Sequence, residues 1–185
     1  MKRTVLAVIV GLAAAGAIAL VALGGTTSRA VVATARTPDD PVWVTLLAAR
    51  QGTEKYRDVH QAIRDGYHRA SPCVMLPDGK GVMGVHYLND AYAKDPSIRA
   101  AKPELLLYLP QPDGSLKLVA VEYWRADADQ DLTTDPDRPI LARIPFDGPM
   151  EGHDPAMPRH YDLHVWIWAW NPAGVFAQFN PSLHC

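Results

Sequence analysis

Residues 160–168 read HYDLHVWIW, an alternation of polar and apolar side chains with period two. That period belongs to a β-strand with one buried face, not to a helix. Leu163, Val165 and Ile167 make an oily face that has to be sealed by apolar packing, while His160, Asp162, His164, Trp166 and Trp168 share the other. Two imidazoles and a carboxylate in line beside indoles exceed what a solvated strand surface needs. The row suits a metal ion or a polar ligand.

The rest of the chain sets what such a strand can pack against. Helical signals are confined to the region before residue 71. Asp39 or Asp40 can cap a helix beginning at Pro41, whose missing N–H costs nothing in a first turn. Leu46, Leu47 and Ala49 carry the pattern to Gly52 and Thr53. Thr53 can cap a second helix, in which Tyr56, Val59, His60, Ile63 and Tyr67 form one stripe, and Gly66 is a left-handed stop. From Ser71 onward Pro and Gly punctuate short β-like runs at 82–88, 104–109, 116–124, 140–144 and 161–170. Residues 125–139 and 145–158 read as surface loops, and residues 110–115 (PQPDGS) join two of the runs as a hairpin. Helices followed by antiparallel strands predict an α+β domain, its N-terminal helical pair packed on an antiparallel sheet or on a partly closed barrel.

The first residues read as an export signal: Lys2 and Arg3, an uncharged apolar run over 5–23, and small-residue cleavage sites at Ala33-Thr34-Ala35 and Ser28-Arg29-Ala30. Cleavage after Ala35 leaves residues 36–185 as a single domain. The run is also just long enough to span a bilayer, so an uncleaved anchor is the alternative, and this segment is then the expected membrane contact. In both cases the remainder is expected in an extracytoplasmic compartment, secreted or in the cell envelope. Removing 1–35 takes away three basic residues and no acid, turning a net charge of −2 into −5. That balance argues against a nucleic-acid partner. Cys73 and Cys185 are most simply a disulfide in an oxidising compartment, since they lack the CxxC spacing of a redox or zinc pair.

No GxSxG, HExxH, P-loop or CxxCH signature occurs in the chain. What remains is a set of His and carboxylate residues at strand positions. Glu122 stands inside the apolar run Val119-Ala120-Val121, followed by Tyr123, where a carboxylate needs a cation, a hydrogen-bonding network or an open edge. His86 lies in a second strand, His160 and His164 in the last, and His153 in the loop before it. Residues four apart on a strand are about 13 Å apart. A ligand nitrogen must come within about 2.1 Å of its ion. His160 therefore joins His164 only if the chain curves inward after Pro158. The candidate metal ligands are His86, Glu122 and His164 with His160 as a fourth, and Asp162 and Tyr123 are expected behind them as supporting residues. Imidazole and carboxylate together suit zinc, iron, manganese or copper.

Plainer readings compete. His164 can be a core histidine bonded to Glu122 or to a carbonyl, and Glu122 can pair with Lys117, Arg125 or Arg143. Tyr87, Tyr123 and Tyr161 can be packing, and the tryptophans can fill core or wall a pocket for a small polar molecule. The acidic stretch from Asp127 to Asp137 lacks the glycine and terminal glutamate of an EF-hand and reads as solvated.

The runs Gly52-Thr53-Glu54-Lys55-Tyr56-Arg57-Asp58-Val59 and Asp65-Gly66-Tyr67, the strand Met83-Gly84-Val85-His86-Tyr87, Val121-Glu122-Tyr123, and residues 158–168 together resemble a family of exported bacterial proteins without an assigned activity. The resemblance covers most of residues 36–185. It implies an extracytoplasmic protein with this order of elements and carries over no catalytic residue. Two function classes follow. One is a protein binding a metal ion or small polar ligand, with metal-assisted hydrolysis or oxidation as the chemistry if it is an enzyme. The other is a non-catalytic envelope protein whose polar row supports the fold.

Overall fold

The computed structural model describes residues 39–153 and 156–185. The export segment expected over 1–35 therefore lies outside the described residues. Helix α1 (Pro41–Thr53) is capped by Asp40, which accepts the Val42 N–H at 3.0 Å. Thr53 closes this helix instead of capping the next, its hydroxyl turning back to the Ala49 carbonyl at 2.7 Å. A 3-10 turn (Glu54–Arg57) follows, and Asp58 caps α2 (Val59–Arg64) by accepting the His60 N–H at 2.9 Å. The turn resets the helical phase. Ala62 is buried in consequence, whereas Ile63, expected on the apolar stripe, is half exposed. Gly66, at φ 94°, ends the helical region as its sequence position predicts.

The remaining chain is mainly one antiparallel sheet. Its strands are β1 (Tyr67–Met75), β2 (Val82–Asn89), β3 (Leu105–Pro110), β4 (Leu116–Ala126), β7 (Asp147–Met150) and β8 (His160–Val165), in the spatial order β1-β2-β3-β4-β8-β7. A four-residue helix α3 (Asp90–Ala93) follows β2, and β5 (Ile140–Leu141) and β6 (Ile144–Pro145) form a separate ribbon. The sheet is open, with β1 and β7 as its edges, so the class is α+β and the barrel alternative does not hold. Both edges are poor templates for closure: β1 carries Pro72 at a break in its pairing, and β7 is four residues long.

Alternation divides the sheet into two faces. One carries Val85, Tyr87, Leu106, Tyr108, Val121, Tyr123, Leu163 and Val165 in the same buried cluster as Leu46, Tyr56 and Ala62 of the helical region. Tyr67, Tyr108 and Tyr123 bury their rings there and donate their hydroxyls to the carbonyls of Pro103, Tyr56 and Ala100 at 2.7, 2.6 and 2.6 Å. An unmade bond at such a group costs roughly 1–3 kcal/mol, so these contacts fix how the flanking segments sit. The second face carries Leu105, Leu107, Ala120 and Trp166, against which Phe179 and Leu183 of the C-terminal segment pack. Cys73 and Cys185 join that segment to β1, their sulfurs at bonding distance, 2.11 Å. The same face also carries the polar row, with Leu88, Leu109 and Trp124 among its further apolar positions.

Strand β8 is shorter than its alternating sequence suggests. After Val165 the Trp166 N–H turns to the Val175 carbonyl at 2.8 Å, and the Trp168 indole donates to Thr53 Oγ1 at 3.0 Å. Trp168 thus leaves the polar row and packs with the helix-side cluster, and only Trp166 stays beside it.

Candidate metal centre

The register of β4 and β8 sets Glu122 directly opposite His164, and Trp124 opposite Asp162. Side chains at such cross-strand positions are about 5 Å apart at Cβ and share a face. His86 reaches the same place from β2, where it pairs with Leu107 of β3. Gly84, at φ 109°, lets β2 lie close to β3 just before it, since a Cβ there would stand 2.7 Å from the Tyr108 carbonyl oxygen. Three strands thereby deliver three polar side chains to one point. His86 Nε2 lies 3.3 Å and His164 Nε2 3.7 Å from Glu122 Oε2, and one ligand atom from each residue falls within 4.8 Å of the other two. Ligands bound at about 2.1 Å around a tetrahedral ion stand roughly 3.4 Å apart. The two distances to Glu122 Oε2 match that figure.

Ser71 fixes the state of His86. Its hydroxyl donates to the Pro72 carbonyl at 2.7 Å and accepts the His86 backbone N–H at 3.0 Å. The same oxygen lies 2.9 Å from His86 Nδ1. A hydroxyl has one proton, already committed to Pro72, so Nδ1–H is the donor in that third contact. In the neutral ring, Nε2 then presents a lone pair to the Glu122 carboxylate. Two electron pairs face each other unless a proton or a metal ion lies between them.

Glu122 and His164 are buried, and Glu122 Oε2 and both ring nitrogens of His164 make no hydrogen bond within the described residues. The ion-pair partners of Glu122 and Asp162 among the described residues are histidines, not Lys117, Arg125 or Arg143. Burial works against the Glu122 charge, but the imidazoles of His164 and His86 outweigh it and hold the carboxyl below the ordinary range. Burial likewise opposes charge on His164, and Glu122 and Asp162 outweigh it, raising its pKa above the usual value. His160 goes the other way: burial lowers its pKa, and Asp162 offsets this only in part.

The structure separates some of the residues that the sequence grouped. His160 does not join His86, Glu122 and His164. The strand is straight enough to keep it two repeats from His164, where it gathers with Asp162 and His153. Tyr123 does not support the centre, because neighbouring strand residues point to opposite faces. Its hydroxyl is spent on the Ala100 carbonyl, on the helix side. Asp162 is where an outer partner is expected, its Oδ1 3.5 Å from His164 Nδ1. Ser71 and Asp147 escape sequence reading. Ser71 precedes a proline that disguises β1, and Asp147 pairs with Asp162 from β7, which reads as loop. Burial and the Asp162 charge raise the Asp147 pKa.

Most carboxylates of the acidic stretch are taken up locally, whereas neither carboxylate oxygen of buried Asp127 is hydrogen-bonded among the described residues. Asp131 accepts from Thr133, Asp129 from Asp131 and Thr134, and Asp137 from Ala128 and Tyr161. Two hollows among the described residues lie away from the polar row. One is an apolar gap beneath α1, and the other an open groove beside Arg50, Arg57 and Trp168. No helix among the described residues is long and apolar enough to cross a membrane. The chain matches no protein-family model, no curated protein and no solved structure.

Proposed function

We propose that the protein binds a divalent transition-metal ion at His86, Glu122 and His164, and that it works outside the cytoplasm. The reading is carried by one observation: three side chains from three strands meet in the interior at ligand spacing, and Glu122 Oε2 and the His164 ring nitrogens have no hydrogen-bond partner among the described residues. A buried polar atom left in that state costs roughly 1–3 kcal/mol. A divalent cation removes the cost and balances the two carboxylates of Glu122 and Asp162. Two imidazoles and a carboxylate favour zinc, iron, manganese or copper over calcium or magnesium. Three protein ligands leave one position of a tetrahedral ion for water or a small ligand, the pattern of reactive rather than purely structural sites. His86 has the most exposed side chain of the three, at 12%, and marks the side from which such a ligand would arrive. The Cys73–Cys185 pair supports an oxidising compartment.

A second reading has its own support. The opposed shifts of Glu122 and His164 describe a buried ion pair that a proton alone can hold together. The polar row then stabilises the fold of a non-catalytic envelope protein. Metal analysis of protein purified without chelator separates the two. About one metal ion per chain, lost in Glu122→Ala and His164→Ala with folding retained, is the result expected from a metal centre. Metal-free protein whose thermal midpoint ignores added metal is the result expected from a proton-held pair.

A further inference from the structure

The polar face holds a second cluster one strand repeat from the first. The side chains of His160 and Asp162 are 0% and 1% exposed. His153, from the loop between β7 and β8, stands over them with its ring centroid 5.4 Å from that of His160. One ligand atom from each of the three lies within 4.8 Å of the other two. His160 Nδ1 is 3.2 Å from the Pro158 carbonyl oxygen. A carbonyl only accepts, so the proton is on Nδ1 and the neutral ring presents a lone pair at Nε2. That nitrogen has no hydrogen-bond partner among the described residues and faces Asp162 Oδ2 at 3.9 Å. Trp124, stacked on His160 at 5.9 Å between centroids, keeps the ring in that orientation. The arrangement repeats that of His86: Nδ1 is committed as a donor and Nε2 is aimed at a carboxylate oxygen.

We propose that His153, His160 and Asp162 form a second divalent-metal site, joined to the first through Asp162. Asp162 offers Oδ2 to the second site while its Oδ1 stands beside His164 Nδ1 at 3.5 Å. One carboxylate thus serves one ion as a ligand and orients a ligand of the other. Two imidazoles and a carboxylate again select a borderline transition metal such as zinc. The two sites differ in access. The first is enclosed by the sheet face, whereas the second has one ligand, His153, on an exposed loop. The second site therefore exchanges its ion faster. It stands on its own residues; only the coupling through Asp162 rests on the reading of His86, Glu122 and His164 as a metal centre.

The test counts zinc. The full chain without a histidine tag is stripped with chelator, equilibrated with micromolar zinc, freed of unbound ion and analysed for metal per chain. Two ions are expected in the native protein, one in His153→Ala and one in Glu122→Gln. The exposed loop position of His153 leaves folding intact in that variant, which a circular dichroism melt verifies. A native count of one, lost in Glu122→Gln and kept in His153→Ala, overturns the second site and leaves the first. A native count of one with the reverse pattern upholds the second site and overturns the first. No bound zinc overturns both. His184→Ala, near the C-terminus and exposed, leaves the native count unchanged; a lower count there means surface binding and also overturns the second site.

Discussion

Ser71 governs the proposed centre without touching the ion. By accepting from His86 Nδ1–H it holds the ring in the tautomer that turns a lone pair inward. Partners of this kind typically contribute 10–100-fold in metal affinity. Ser71→Ala is expected to weaken zinc binding by about that factor with little change in the thermal midpoint, and Ser71→Thr to restore most of it. Competition with a chromophoric chelator reads the affinity, and equal affinities in all three proteins would remove Ser71 from the site. Glu104 is a second residue whose environment has a measurable consequence. It is buried and accepts the Trp124 N–H at 3.3 Å. Burial raises its pKa to about 7, against the Trp124 N–H and the Arg125 charge, which lower it. The folded protein therefore holds this proton more tightly than the unfolded chain does. Its contribution is full below the ordinary value of 4.5 and is lost as pH rises through about 7. The loss is on the order of 3 kcal/mol at most. Glu104→Gln keeps an acceptor for Trp124 and removes the charge. Urea unfolding should show it matching the native protein at pH 4 and exceeding it at pH 8; parallel pH profiles would contradict the assignment.

Among the elements, the edge strand β1 is the one whose loss would reach the centre. It carries Ser71 and is tied to the C-terminal segment by the Cys73–Cys185 bond, which closes a loop across a sequence separation of 112. A loop of that length corresponds to about 4–5 kcal/mol in the chain-entropy model, and native disulfides typically yield about 2–4 kcal/mol. Cys185→Ser is expected to lower unfolding stability by about 2–4 kcal/mol in urea, and a loss under about 0.5 kcal/mol would show that the segment is held without it. The same strand shows where sequence reading stops. β2, β3, β4 and β8 are legible because each alternates or runs apolar between clear turn residues. The three residues that meet are legible because each is a polar side chain in such a run. β1 is not, since Pro72 looks like a break, although an edge strand tolerates proline at an irregularity in its pairing. Tyr123 fails for the opposite reason. Adjacency to Glu122 in sequence is what puts it on the wrong face, so the period-two rule that found the strand also excludes it. His153 belongs to its cluster through the return of a loop, which no local pattern encodes.

For the molecule as a whole, the question is what neutralises the polar face. Without metal, Glu122 and His164 stabilise each other over a limited range. The carboxylate's contribution falls away as pH drops through its depressed pKa, and the imidazolium's is lost as pH rises through its elevated one. A metal ion reverses the second of these dependences, because it binds the neutral imidazole and competes with the proton for it. At about a hundred times its dissociation constant an ion adds roughly 2.7 kcal/mol. For a domain of this size that is a rise of about 5–10 °C in thermal midpoint. The difference between zinc-loaded and chelator-treated protein should therefore be small near pH 5.5 and grow toward pH 8. Proton-held pairing makes the contrary forecast: no zinc-dependent difference at any pH, with a midpoint that declines as His164 loses its proton. Melting curves at four or five pH values, with and without zinc, decide between these two ways of balancing the same two carboxylates.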